Sequence, residues 1–208
     1  MIISIVNQKG GTGKTTLAVN IAREYTLRKI DTLLVDSDSQ GSALRWHEKS
    51  NGNLIDLTCL PVTTMDKDVL KFRNRYQRII IDGVPQMSQL TVCAIAAANL
   101  ILIPVQPSPY DIWATKELVD LVKHRIEITD GRTKAAFIIS RKIKGTNLAK
   151  EIIQELEKYE LPIFKSSTTQ RVAYPTVAQH GSTVVDAQEG TIEARIEIQD
   201  IVNEIEEL

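Results

Sequence analysis

Residues 2–16 read IISIVNQKGGTGKTT and decide the fold, because an apolar run leads into a glycine-rich loop and then into a helical pattern. Glycines at 10, 11 and 13 allow the loop backbone to take φ > 0 and to turn its N–H groups inward. The helix that begins near Lys14 directs the positive end of its dipole at the same point. The stretch is therefore predicted to bind the phosphates of a nucleotide.

Two side chains of this loop carry the predicted chemistry. Lys14 is expected to bridge the β- and γ-phosphates, and the Thr15 hydroxyl is expected to ligate Mg²⁺, the ion that accompanies nucleotide phosphates. A plain glycine-rich turn is the alternative interpretation. A GKT sequence at a strand-to-helix junction favours the phosphate-binding one, because that junction is the context in which the motif works.

Further apolar runs of strand length recur along the chain. Together with the first run they cover residues 2–6, 32–36, 54–60, 78–82, 100–105, 135–140 and 161–164. Helical patterns cover residues 14–28, 42–48, 67–75, 88–98, 112–125, 148–158, 169–179 and 191–208. The strand runs are nearly continuous in Val, Ile and Leu, which is typical of strands covered on both faces. The sequence predicts an α/β fold, a doubly wound and mostly parallel sheet flanked by helices, in one domain over residues 1–208.

Aspartates stand at the ends of two of these strands. Asp36 ends the second run and Asp38 follows it, while Asp82 ends the run 78–82. The carboxyl ends of parallel strands line the ligand crevice of such a sheet, and on extended backbone Asp36 and Asp38 would point the same way. Each aspartate alone could cap a helix, but three of them beside a phosphate loop indicate a Mg-nucleotide site.

The loop departs from the standard pattern G-x-x-x-x-G-K-[ST], since Gln8 stands at the first glycine and Lys9 opens the loop. It resembles the deviant phosphate loop of the ParA/MinD ATPases, in which the additional lysine reaches the partner subunit's nucleotide across a dimer. The resemblance implies that Lys9 acts in trans. It also implies ATP as the nucleotide, bound by Lys9, Gly10, Gly11, Thr12, Gly13, Lys14, Thr15 and Thr16.

Two more elements resemble this family. Residues 36–40 resemble its D-x-D-P-Q element, with Ser39 in place of the proline, and residues 79–85 resemble its Walker B strand followed by D-x-x-P. The resemblance implies that Asp36 and Asp82 join Thr15 in holding Mg²⁺. It further implies that Asp38 positions the attacking water, so that Lys9, Lys14 and Asp38 form the catalytic set.

Two later segments of the sequence are expected to contact parts of the nucleotide other than its phosphates. Residues 105–113 resemble a proline-containing stretch of the ParF-type partition ATPases, which implies that Pro107 lies near the nucleotide and the dimer interface. A stiff loop is the alternative, since two prolines would give one anyway. Residues 140–142 match the end of the sixth strand, where the family contacts the adenine, and Arg141 is the candidate there.

A net charge of −1 conceals an uneven distribution along the chain. Residues 132–171 contain nine Lys/Arg and four Glu, whereas residues 189–208 contain seven Asp/Glu and only Arg195 as a cation. This pattern predicts one face for an anionic polymer and another face kept away from it. Arg171, expected to open the helix 169–179, and Lys165 are the DNA-binding candidates, although either could be a solvated surface charge.

The resemblance covers nearly the whole chain and implies a short partition ATPase that lacks an N-terminal DNA-binding domain. Such a protein is expected to be cytoplasmic and nucleoid-associated. Mg-ATP would stabilise a sandwich homodimer that binds DNA without sequence preference, and an adaptor protein on the cargo would stimulate hydrolysis. A plasmid or chromosome is the leading cargo, and another large assembly is the nearest variant.

Three alternatives stay open at this point. A MinD-like membrane switch shares the site residues but needs a basic amphipathic C-terminal helix, whereas residues 191–208 are acidic, so no membrane partner is expected. A small-molecule kinase or an amide-forming synthetase seldom carries a lysine like Lys9 together with D-x-D-x-Q. An iron–sulfur cluster shared across a dimer, as in the nitrogenase iron protein, is disfavoured because Cys59 and Cys93 lie in apolar segments and are expected to be buried thiols.

Overall fold

The computed structural model describes residues 1–108, 112, 115–143, 148–186 and 190–208, without the side chains of 148–150. The strands are β1 (Ile2–Ile5), β2 (Thr32–Asp36), β3 (Asp56–Cys59), β4 (Arg78–Asp82), β5 (Leu100–Val105), β6 (Lys134–Lys142) and β7 (Ile163–Thr169). The α-helices of the described residues are α1 (Lys14–Leu27), α2 (Ser42–Lys49), α3 (Met65–Asp68), α4 (Gln89–Ala97), α5 (Lys116–Ile128), α6 (Leu148–Glu157), α7 (Ala173–Gln179) and α8 (Ile192–Glu206). A 3₁₀ turn, Val69–Phe72, continues α3.

The seven strands form one sheet in the order β3-β2-β4-β1-β5-β6-β7, and every registered pair is parallel. The predicted doubly wound α/β fold is confirmed. Because the order reverses direction next to β1, the loop that leaves β1 opens into the crevice between the two halves of the sheet. Asp36 and Asp82 stand opposite each other at the ends of β2 and β4, and Ile5 of β1 is the other neighbour of Asp82.

Both faces of the sheet are covered by helices. Ile79 and Ile81 pack against α3 to α6, whereas Ile80 packs on the opposite face against α1, α2, α7 and α8. This alternation between two apolar clusters explains why the strands are aliphatic at consecutive positions rather than at every second one.

The end of the sheet beyond β6 differs from the sequence prediction. The seventh strand covers Ile163–Thr169 instead of 161–164, because the β-branched Thr168 and Thr169 continue it past an irregular register with β6. The next helix therefore begins at Ala173 and not at 169. The expectation that Arg171 opens this helix is wrong, since Arg171 lies in the turn that precedes it.

The two cysteines have different surroundings. Cys93 is buried in α4, where its thiol donates a hydrogen bond to the carbonyl oxygen of Thr63 at 3.2 Å. Cys59, at the end of the edge strand β3, is exposed, so the expectation of a buried thiol is wrong at that position. Within the described ranges, no helix combines the length and the apolar character that crossing a bilayer requires.

Candidate nucleotide-binding site

The loop between β1 and α1 takes the conformation of a phosphate-binding loop through two of its three glycines. Gly11 and Gly13 have φ of 78° and 90°, whereas Gly10 is not in the positive-φ region, which corrects the expectation for that residue. Gly13 precedes the first residue of α1. A Cβ at Gly13 would also lie 2.7 Å from the Ser140 hydroxyl oxygen, so both conformation and space restrict this position to glycine.

Hydrogen bonds fix the backbone of the loop at Lys9. The Lys9 N–H donates to Asn7 Oδ1 at 2.9 Å, and Asn7 Nδ2 donates to the carbonyl oxygen of Pro104 at 2.7 Å. Lys14 Nζ donates to the carbonyl oxygen of Lys9 at 2.9 Å. Burial lowers the pKa of Lys14, and the negative charges of Asp82 and Asp38 partly oppose this shift. The ammonium group of Lys14 is therefore held inside the loop at the position where a phosphate would be bound.

The other side of the loop is held from the ends of β5 and β6. The carbonyl oxygen of Gly11 accepts hydrogen bonds from Gln106 Nε2 at 2.5 Å and from Arg141 Nη1 at 3.1 Å. Arg141 has φ of 58°, a conformation that is uncommon for a residue with a side chain and is often found at functional sites. Arg141 thus contacts the loop in this structure, and a contact with the base stays a prediction.

The loop forms one end of a cleft of about 730 Å³. The predicted residues that line it are Gly10, Gly11, Gly13, Lys14, Thr15, Thr16, Asp38, Arg141 and Arg171. Lys9, Thr12 and Pro107 are not among its lining residues, and of the stretch 105–113, residues 109–111 and 113 lie outside the described residues. Pro107 follows Gln106, which contacts the loop itself.

Thr15 and Asp82 form the part of the site suited to a metal ion. The Thr15 side chain acts on the buried Asp82 carboxylate and favours its ionised form, and Asp82 Oδ1 has no hydrogen-bond partner among the described residues. Burial raises the pKa of Asp82 from 3.8 to about 7, with a further contribution from the charge of Asp36. A buried carboxylate oxygen without a partner, beside a hydroxyl, fits the water shell of Mg²⁺.

Asp36 and Asp38 have separate surroundings. Asp36 is buried, and its two carboxylate oxygens accept backbone N–H groups from Asp38 at 3.0 Å and from Leu44 at 2.9 Å. The chain turns at residues 38–41, where the Gly41 N–H donates to the carbonyl oxygen of Asp38 at 2.9 Å, and the common direction of the two side chains stays a prediction. Only Asp38 lines the cleft. A role of Asp36 in the Mg²⁺ shell stays a prediction, and in this structure Asp36 fixes the turn that presents Asp38.

The raised pKa of Asp82 makes the stability of the metal-free protein dependent on pH. The unfolded carboxyl ionises near 3.8 and the folded one near 7, so stability is lost as pH rises across this interval. We expect Asp82→Asn to raise the melting temperature more at pH 8 than at pH 5, measured by thermal denaturation in a chelator. Asp31→Asn, at an exposed carboxyl, is the control. An equal rise in melting temperature at pH 5 and at pH 8 would contradict a raised pKa of the buried Asp82 carboxyl group.

The far wall of the cleft was not predicted from the sequence. It is formed by the end of β7 and the start of α7, with Thr168, Thr169, Gln170, Val172, Tyr174, Pro175 and Ala178 among its residues. These residues carry no charge and match no spacing pattern, so the sequence offered no signal for them. Val172 is 80% exposed although it is apolar, and it borders this wall.

The acidic helix α8 contacts β7 and the residues that follow it, which belong to the basic block 132–171. Arg171 pairs with Glu197 Oε1 at 2.9 Å and with Glu193, and these two carboxylates raise its pKa. Glu204 accepts the backbone N–H of Lys165 at 2.8 Å, while the Lys165 residue itself is exposed. The interpretation of two separate charged faces is therefore wrong in this region. Lys144, the side chain of Lys150 and Glu189, which belong to the two charge blocks, lie outside what the structure describes.

Comparison with known proteins agrees with this geometry. The model of the family described as the CobQ/CobB/MinD/ParA nucleotide binding domain matches residues 3–184. The maintenance of carboxysome distribution protein A of Halothiobacillus neapolitanus is 25% identical over 207 residues, 98% of this chain and 95% of that protein. The chromosome partitioning protein ParA of Myxococcus xanthus is 29% identical over 202 residues, 76% of this chain and 71% of that protein.

The fold also matches a solved structure that contains a nucleotide. The ATP complex of the McdA protein of Cyanothece superposes with a TM-score of 0.74 at 18% identity, over 98% of this chain and 95% of that chain. At this identity the likeness concerns the fold. The family match extends over most of the chain and includes the loop, both strand-end aspartates and the cleft. The chain therefore belongs to the CobQ/CobB/MinD/ParA family of nucleotide-binding domains.

Proposed function

We propose that residues 1–208 act as one ParA-type positioning ATPase, which binds Mg-ATP and hydrolyses it slowly. The single observation that carries this proposal is the pairing of a backbone-fixed Lys9 with a buried Lys14 in one phosphate loop. The family match and the two relatives named above support it. The carbonyl oxygen of Lys9 accepts a hydrogen bond from the ammonium group of Lys14, and of the two lysines only Lys14 lines the cleft. Lys14 would therefore serve the subunit's own nucleotide, and Lys9 is the candidate for the partner subunit's nucleotide.

Each residue of the site has a role that follows from its position. Lys14 and the N–H groups of the loop hold the β- and γ-phosphates, and Asp38, which follows β2 and also lines the cleft, orients the attacking water. Thr15 and Asp82 would hold Mg²⁺, and Asp36 fixes the turn around them. When bound, Mg²⁺ neutralises part of the negative charge on the phosphates. Hydrolysis by one subunit is slow because part of the charge stabilisation comes from another molecule.

The position of Lys9 supports the proposal that the protein dimerises. Its backbone is anchored through Asn7 to Pro104, while Lys9 itself is only half-buried and is not among the residues that line its own cleft. A lysine whose backbone is fixed beside a phosphate site, but which does not line its own cleft, could neutralise phosphates that a second subunit brings to it. A sandwich homodimer that assembles when ATP is bound would bring the phosphates of one subunit to Lys9 of the other.

The proposed partner of this dimer is DNA without sequence preference. A dimer doubles any basic face, so its affinity for phosphate backbones rises steeply with assembly. Lys165 is exposed and becomes the first candidate, whereas the charge of Arg171 is offset by two carboxylates. An adaptor that binds cargo would stimulate hydrolysis and release the dimer from DNA.

We expect the wild type to bind unrelated DNA duplexes with ATP but not with ADP, with an affinity that falls steeply as salt rises. Lys165→Ala should weaken this binding, and Arg171→Ala should weaken it less. Lys123→Ala, on α5, removes a cation already paired with Glu160 and is the matched control. Fluorescence anisotropy at several salt concentrations measures these affinities, with ATPase activity as the folding control.

Two experimental outcomes would favour a function other than DNA-based positioning. No ATP-dependent DNA binding at low salt, together with binding to anionic vesicles, would favour the MinD-like membrane switch. Retained ATP dimerisation without either kind of binding would favour a positioning ATPase for another assembly. The relative that maintains carboxysome distribution makes a cargo other than DNA the specific second candidate.

A further inference from the structure

One carboxylate of the C-terminal helix holds the far wall of the cleft. Glu197 of α8 accepts the Thr169 N–H at 3.1 Å, Arg171 Nε at 2.9 Å and the Tyr174 hydroxyl at 2.9 Å. The Glu197 side chain is only 13% exposed, so these bonds are largely shielded from water. Charge-assisted hydrogen bonds in such surroundings fix the groups that make them.

The three donors lie at the junction of β7 and α7, with Thr169 at the end of β7, Arg171 between the two elements and Tyr174 in α7. Thr169, Arg171 and Tyr174 all line the cleft, whereas Glu197 does not. The stretch from Gln170 to Val172 belongs to neither element. Because Glu197 bonds to residues on both sides of this stretch, its carboxylate holds together the two elements that form the wall.

The position of this wall indicates which part of a nucleotide it faces. The phosphate loop follows β1, and the acids that would share its metal end β2 and β4, on one side of β1. The wall belongs to β7 and α7 and lies beyond β5 and β6, on the other side. A nucleotide whose phosphates contact Lys14 and Thr15 therefore extends its sugar and base toward the turn that Glu197 holds.

We propose that Glu197 is a positioning residue for the nucleoside part of the ligand. It sets the wall against which the base packs, although it does not contact the ligand itself. The acidic C-terminal helix thereby contributes to nucleotide affinity through the turn at 170–172. This inference rests on the proposed function, because it takes a nucleotide as the ligand of the cleft.

The same helix supplies a matched control. Glu204 accepts the N–H of Lys165 at 2.8 Å and that of Ser166 at 2.9 Å, and the Ser166 hydroxyl also bonds to it. Neither of these residues lines the cleft. Glu197 and Glu204 thus tie the same helix to the same strand, and only Glu197 does so at the wall.

The experiment compares Glu197→Gln with Glu204→Gln by titration calorimetry, using Mg-ATP and inorganic tripolyphosphate as ligands. We expect Glu197→Gln to weaken ATP binding about tenfold, because an amide offers one acceptor oxygen where the carboxylate offers two. Tripolyphosphate has no base, so its affinity should stay within about twofold of the wild-type value. Glu204→Gln should leave both affinities unchanged, even where both variants lower the melting temperature.

Each outcome decides between the proposals. Wild-type ATP affinity in a folded Glu197→Gln protein, or an equal loss for ATP and tripolyphosphate, would overturn the positioning role while the proposed function stands. A wild-type protein that does not bind ATP would overturn the proposed function itself. If Glu197→Gln does not fold, Tyr174→Phe removes one of the same bonds without changing charge. It should weaken ATP binding about threefold and spare tripolyphosphate, and unchanged ATP affinity would count against the role.

Discussion

Lys14→Ala is expected to reduce ATP affinity by roughly a hundredfold or more, the largest effect of any single substitution at the site. Lys14 is buried, and its ammonium group is held by the Lys9 carbonyl oxygen at the centre of the loop. Removing one partner of a buried charge pair costs about 2–5 kcal/mol, and each 1.4 kcal/mol is a factor of ten in affinity. Titration calorimetry with Mg-ATP measures the loss.

The matched control is Lys71→Ala, which removes a lysine whose side chain is 74% exposed in the 3₁₀ turn after α3. Circular dichroism and thermal denaturation establish that both variants are folded. Unchanged ATP affinity in a folded Lys14→Ala protein would contradict the assignment of the loop as the phosphate site.

Lys9→Ala should separate nucleotide binding from assembly. The variant keeps Lys14 and the loop backbone, so it should bind ATP as a monomer. It lacks the charge that neutralises the partner subunit's phosphates, so it should not form the ATP dimer at concentrations where the wild type does. Size-exclusion chromatography with ATP and Mg²⁺ measures the difference.

Asp38→Ala is expected to have the opposite effect from Lys9→Ala, because it should form the ATP dimer. Asp38 lines the cleft, and it is proposed to orient the attacking water rather than to hold the phosphates. Its removal should therefore give a dimer that persists because ATP is not turned over. A Lys9→Ala protein that dimerises like the wild type would show that Lys9 is only a loop charge.

The centre of the sheet could be predicted because local signals there agree with the tertiary structure. Consecutive aliphatic residues such as Ile79, Ile80 and Ile81 identify a strand buried on both faces, and the aspartate at its end identifies the crevice. The predicted bounds of β2, β4 and β5 are those of the structure. Glycine spacing likewise predicted the loop, apart from the backbone conformation of Gly10.

The part beyond β6 could not be predicted in this way. The boundary between β7 and α7 depends on carboxylates of α8, such as Glu197, which lies 28 residues after Thr169 in the chain. The prediction of two separate charged faces failed for the same reason. Arg171 and Glu197 belong to separate charge blocks in the sequence, but they form an ion pair in the folded structure. Apart from Arg171, the residues of the far wall of the cleft are uncharged, and their common feature is a position that depends on packing between distant elements.

The outer edge of β7 has a consequence for how molecules of this protein can associate. An edge strand normally presents unpaired N–H groups, which can pair with a strand from another molecule and extend the sheet. In β7 the N–H groups of Lys165, Ser166 and Thr169 are already bonded to Glu204 and Glu197. A second sheet that approached this edge would meet two carboxylates instead of free donors. Strand-to-strand aggregation along β7 is thus disfavoured.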